Sequence, residues 1–140
     1  FLFSANPDQQ LAPIDKVISG GEMSRFLLAI KSTISKNSGS FFLDEIDSGL
    51  SGKSLYTLVE LIKKISVKRQ VLCITHQPFL AAAANVHYKV KKNVVGGITY
   101  TSVSKLSTKS ERQTELTELI GGGFDEANDY ASILIKKAAA

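Results

Sequence analysis

Two short apolar runs constrain this chain most. Ser40 to Leu43 and Val71 to Thr75 each run into polar residues, Asp44-Glu45 in the first case and His76 in the second. Between them Leu55, Leu58, Val59, Ile62 and Ile65 recur at helical spacing, within a segment from about Gly52 to Val67. Strand, helix, strand in that order predicts a parallel pair, and the unbroken apolar character of Val71 to Thr75 predicts burial on both faces. Polar residues at the carboxyl ends of such strands stand where α/β folds take ligands.

The surrounding chain extends this pattern. Phe1 to Ser4 reads as a short strand broken at Asn6-Pro7-Asp8, and a loop is expected from there to Ser19. A helix is expected from Gly20 or Gly21 to about Lys36, with Leu27, Ile30 and Ile34 on one face and Asn37-Ser38-Gly39 as its stop. After His76-Gln77, Pro78 suits the first turn of a short helix over Ala81 to Ala84. Val86 to Val90 and Ile98 to Val103 read as two strands joined by a turn at Gly96-Gly97. Two helices follow; Ser110 with Gln113 is a possible capping box for the first, and Gly121-Gly122-Gly123 stops it. Strands alternating with helices predict an α/β fold.

Composition narrows the function classes. With 140 residues and 44% hydrophobic content the chain suits a compact domain with a real core, not a disordered or fibrous one. No apolar run approaches the roughly 18–20 residues that span a bilayer. Phe1-Leu2-Phe3 has neither a basic leader nor an initiating Met, so the start reads as the interior of a longer protein. The single cysteine, Cys73, lies inside an apolar strand, which excludes a disulfide framework and fits a buried thiol and an intracellular setting. A net charge of +4 permits contact with nucleic acid or nucleotides without demanding it.

Three motifs carry chemistry, in a fixed order. Ser19-Gly20-Gly21-Glu22 precedes a helix; glycines there leave backbone N–H groups unobstructed, and a helix start attracts anions. Ser19 can add a hydroxyl donor or simply cap the helix. Asp44-Glu45 end a strand, where an Asp can hold Mg²⁺ and a Glu can orient or deprotonate a water, or where both merely solvate the strand end. His76 ends the next strand and can bond a phosphate, or be a satisfied surface or core histidine; His87 has no such setting. Gly52-Lys53-Ser54 imitates a phosphate loop, but the spacing G-x-x-x-x-G-K-[ST] puts Asp47 where the first glycine belongs. Lys53 is expected at a helix start with a solvated amine.

Taken together, the three motifs resemble the second half of an ABC-type ATPase head. In that likeness Ser19-Gly20-Gly21 match the signature motif, Asp44-Glu45 the end of Walker B, Asp47-Ser48-Gly49 the D-loop and His76 the switch histidine. Finer detail is similar to the RecN family of bacterial DNA-repair ATPases, which is SMC-like. The residues carrying this are Ile18 to Arg25 with Glu at 22, Asp44 to Gly52, Phe1 to Pro7, Thr75-His76-Gln77-Pro78 and Glu115 to Gly122. The likeness is weakest over Lys91 to Lys109 and the C-terminal tail.

The resemblance implies the C-terminal lobe of a P-loop ABC-type head over residues 1–140, a mainly parallel sheet flanked by helices with a β-hairpin. It implies ATP and Mg²⁺ as cofactors. Ser19, Gly20, Gly21 and Glu22 would face ATP on a second head, and Asp47 would lie at the seam between heads. Asp44 would support the metal, Glu45 would polarise water and His76 would sense the γ-phosphate. Implied partners are an N-terminal Walker A lobe of the same protein, a second head in a homodimer, and DNA through the intact protein, with no membrane and a cytoplasmic, nucleoid-associated location. This chain holds no Walker A, so alone it is expected to be catalytically silent. Arg25 and Arg112 are candidates for phosphate or inter-lobe contacts, or for salt bridges. The competing family-level reading is the nucleotide-binding half of another ABC ATPase, a transporter or an SMC-type chromosome protein.

Overall fold

The computed structural model describes residues 2–4, 7–34, 39–123 and 126–139. They form two compact units, residues 1–75 and 76–140. The expected helix end at Lys36 and the Asn37-Ser38 stop lie outside the described residues, as do Phe1 and Asn6.

In the first unit β1 (Leu2–Phe3) pairs antiparallel with β2 (Ala12–Pro13), and a single-turn helix α1 (Ile14–Val17) occupies part of the expected loop. Helix α2 (Gly20–Ile34) starts where Ser19 ends the loop. Strand β3 (Phe41–Asp44), helix α3 (Gly52–Ser66) and strand β4 (Val71–Ile74) are the βαβ unit, and β3 and β4 pair in parallel as Phe41↔Val71 through Asp44↔Ile74. The stripe of α3 buries Leu55, Leu58 and Val59, and Leu28, Leu43 and Ile46 are buried with them in this unit.

Burial on both sheet faces is not observed. One face carries Leu43 with the half-buried Phe41, Val71 and Cys73; the other leaves Phe42 79% exposed, Ile74 67% and Leu72 41%. The reason is width: two strands have alternate side chains on two faces, and only one of those faces is covered here. The sheet is also not mainly parallel. Among the described residues there are three two-stranded sheets and only β3–β4 is parallel; β1–β2 and the hairpin are antiparallel.

The second unit begins at His76. Pro78 opens α4 (Pro78–Ala82), as its fixed φ favours. The hairpin β5 (His87–Val95) and β6 (Ile98–Leu106) is longer than the sequence suggested, and Gly96 and Gly97 both take positive φ, the turn that matches strand twist. Helices α5 (Lys109–Ile120) and α6 (Ala127–Ala139) pack with α4 around Ala81, Ala82, Leu116, Ala131 and Leu134.

The cap of α5 is not Ser110 with Gln113. Thr108 is the cap: its Oγ1 accepts from the Glu111 N–H at 3.1 Å, and the Glu111 carboxylate accepts from the Thr108 and Ser107 N–H groups at 2.8 Å each. Gln113 instead reaches α6, donating to Asn128 Oδ1 at 2.8 Å and Ser132 Oγ at 2.9 Å. Gly121, at φ 114°, closes the helix in the left-handed conformation, as its sequence position predicts.

Candidate functional site

Within the first unit the Ser-Gly-Gly-Glu segment, the acidic strand end and the loop after it are tied together. Ser19 is exposed at the start of α2. Its N–H and hydroxyl both donate to Glu22 Oε2, at 2.8 and 2.9 Å, and its Oγ receives the Glu22 N–H at 3.4 Å. This is a capping box, so the capping alternative for Ser19 is the one realised in the chain. These bonds hold the Glu22 carboxyl below its ordinary range, the backbone bond most. Glu22 thus supplies the negative charge that the helix start favours.

Gly21 is buried where α2 meets the loop. A Cβ there would meet Ser48 Cβ at 3.0 Å, Ser48 O at 3.1 Å and Arg25 Nη1 at 3.1 Å. Any larger residue there would have to push Ser48 or Arg25 aside. One turn later Arg25 Nη1 donates to the carbonyls of Ile46 at 3.0 Å and Ser48 at 2.8 Å. Arg25 thus clamps the loop to α2 through backbone carbonyls. The sequence carried no pattern for this, because the acceptors are backbone carbonyls more than twenty residues away.

The loop itself is tightly turned. Asp44 and Glu45 are both exposed at the end of β3, and Glu45 sits at φ 50°, the one non-glycine with positive φ among the described residues. Such a conformation costs about 1 kcal/mol or more and marks a place where something besides stability sets the backbone. Hydrogen bonds from Ser48 N to Glu45 O and from Leu50 N to Asp47 O, both 3.0 Å, hold the turn.

Asp47 is not at a surface. It is fully buried, and its Oδ2 accepts a short hydrogen bond from the Thr75 hydroxyl at the end of β4, while no described group bonds its Oδ1. A buried carboxylate needs partners, and Thr75 is the one within reach. The resemblance implies a place for Asp47 at the seam between heads; in this chain its side chain is buried within the first unit. Beside it, burial and the charges of Asp47 and Asp44 push the Cys73 thiol up to about 12, which makes it an inert strand residue. Thr75 precedes His76, which is exposed and opens the second unit. Lys53 is an exposed residue of the first turn of α3, consistent with the rejected phosphate-loop reading.

No three described His, Cys, Asp or Glu side chains are gathered as metal ligands. Asp44, exposed at the strand end, is a carboxylate of the kind Mg²⁺ takes while filling its shell with water and phosphate oxygens.

Comparison with known proteins finds RecN relatives. The chain is 42% identical to DNA repair protein RecN of Bacillus subtilis, over 99% of its own length. It is 37% identical to RecN of a Synechocystis species over 100% of its length, and 39% identical to RecN of Deinococcus radiodurans over 89%. This chain matches the C-terminal part of RecN. It spans about a quarter of the length of these RecN relatives. A solved structure from work on "ATP-driven dimerization and DNA stimulated activation of SMC ATPases" shares its fold, with a TM-score of 0.54 and 22% identity, covering 88% of this chain and 81% of the other. No protein-family model matches the chain. No helix of the described residues is long and apolar enough to cross a membrane.

Proposed function

We propose that this chain is the C-terminal ATPase lobe of a RecN-like protein that binds and hydrolyses ATP between dimerised heads during DNA double-strand-break repair. One observation carries the reading. A glycine-led helix start, an exposed Asp-Glu pair at a parallel strand end and the loop after it are locked into one body by Arg25 and Gly21. Capping alone would not require that registration.

In this reading Ser19, Gly20 and Gly21 meet the γ-phosphate held by a second head. An arriving phosphate competes with Glu22 for the Ser19 hydroxyl, and so exchanges one anionic acceptor for another. Asp44 would hold Mg²⁺, which neutralises phosphate charge when bound. Glu45 orients the attacking water, and His76 bonds the γ-phosphate side. Asp47 acts as a positioning residue: through Thr75 it ties the loop to the backbone that leads into His76. Positioning and charge neutralisation carry most of such phosphoryl chemistry.

The open face of Phe42, Leu72 and Ile74 supports a further part of the reading. Apolar strand residues this exposed fit a sheet face covered by the Walker A lobe of the same protein. DNA contact and a nucleoid location belong to the intact protein.

ATP turnover by the intact protein, with and without DNA, tests the assignment. Glu45→Gln should lower turnover about a hundred-fold or more while nucleotide still binds and heads stay paired. Unchanged turnover would remove the water-activating role from Glu45.

A further inference from the structure

The second unit contains a half-open cavity of about 360 Å³ that none of the motifs above uses. Its polar wall is Asn85, Lys105, Ser107, Thr108, Lys109 and Arg112, above an apolar floor. Three of these are cations, and no carboxylate among the described residues lines it. The carboxylate beside it, Glu111, is committed to the N–H groups of Ser107 and Thr108, and these bonds keep it ionised, with its carboxyl below the ordinary range. The cap therefore answers the helix start and leaves the side-chain cations unanswered.

Arg112 supplies a fixed wall. Its Nη2 donates to the carbonyls of Ala82 at 3.1 Å and Ala84 at 2.8 Å, which sets the guanidinium plane. Its buried Nε has no acceptor among the described residues. Arg112 lines the cavity with its guanidinium held in place, a preorganised positive charge for an oxyanion. Lys105 and Lys109 add mobile charge at the exposed side of the same cavity.

We propose that this cavity binds a phosphate-class oxyanion, supplied either by a nucleic-acid backbone or by free phosphate. It stands apart from the ATPase reading, because every residue in it belongs to the second unit and none has a part in that chemistry.

Lysine acetylation of the intact protein, read residue by residue in the absence of nucleotide, tests it. Inorganic phosphate, or a short DNA oligonucleotide, should protect Lys105 and Lys109 selectively over Lys136 and Lys137. If the source is a polynucleotide, the double variant Lys105→Gln, Lys109→Gln should bind the oligonucleotide roughly ten-fold more weakly, with the salt slope reduced by about one per lysine. If phosphate protects and oligonucleotide binding is unchanged in the variant, the ligand is the free anion. Both lysines are exposed, so their replacement should leave the melting temperature in place. No protection of Lys105 and Lys109 by either ligand would overturn the proposal.

Discussion

In the first unit one guanidinium, Arg25, ties a helix to the carbonyls of Ile46 and Ser48; in the second, Arg112 ties a helix to the carbonyls of Ala82 and Ala84. The device is shared, but its surroundings differ. Around Arg112 the unit is a closed three-helix packing with Leu116, Ala127 and Ala131 fully buried. Around Arg25 stand a left-handed Glu45, a buried Asp47 with one unbonded oxygen, and a strand face that leaves Phe42 bare. The first unit is held rigid at one loop and left unfinished on one face.

The largest test of this contrast compares two apolar truncations. Leu116→Ala should cost about 2–5 kcal/mol, since it opens a cavity in a fully buried core. Phe42→Ser removes a larger side chain but one that is 79% exposed, so it should shift denaturant stability of this chain by about 0.5 kcal/mol or less. In the intact protein the same Phe42→Ser should weaken the join to the rest of the head. Equal losses for Leu116 and Phe42 in the isolated chain would erase the distinction.

Next in size is a pair of adjacent glycines. Gly21→Ala places a Cβ 3.0 Å from Ser48 Cβ and 3.1 Å from its carbonyl, and should cost about 1–3 kcal/mol and loosen the loop. Gly20→Ala meets nothing within 4 Å and should fall within about 1 kcal/mol of neutral, on the stabilising side. Urea titrations of the two variants decide it. If both behave alike, the close approach of α2 to the loop is not what fixes the first unit.

Smaller still is the strain at Glu45. Glu45→Gly should relieve the left-handed backbone and stabilise the chain by up to about 1 kcal/mol, whereas Glu45→Ala should not. Both should remove turnover in the intact protein. A Glu45→Gly variant no more stable than Glu45→Ala would show that the backbone there is unstrained.

What the sequence made legible follows from where the information is local. The α3 stripe and the Gly96-Gly97 turn are set by residues a few positions apart, and the parallel pairing of the two apolar runs follows from the helix between them; all three appear as read. So does the helix opening at Gly20. The cap of α5 was legible in principle, since Thr108 and Glu111 fit the same pattern as Ser110 and Gln113; the carboxylate at position 111 wins because it is the stronger acceptor for two N–H groups. The burial of Asp47 and the clamp by Arg25 were not legible. Each depends on a partner far along the chain, Thr75 in one case and two backbone carbonyls in the other. The open sheet face was misread because an apolar strand looks the same whether its cover lies in this chain or beyond it.

The smallest expected effect concerns protons in the second unit. His87 is half-buried on β5, and its Nδ1 has no partner among the described residues. Burial lowers its pKa from the ordinary 6.5, and the Arg112 charge lowers it further, while Glu115 opposes both. Lys89, on the same strand, is paired with Glu115 and Glu118, which blunts that opposition. With a depressed folded pKa, the unfolded chain binds the proton more readily than the folded one. His87 therefore contributes stability that is complete above about pH 6.5 and is lost as the pH falls through its folded pKa. His87→Gln cannot titrate, so the stability difference between wild type and variant should narrow or change sign between neutral and acid pH. A difference independent of pH would mean that the ring gains its proton as easily folded as unfolded.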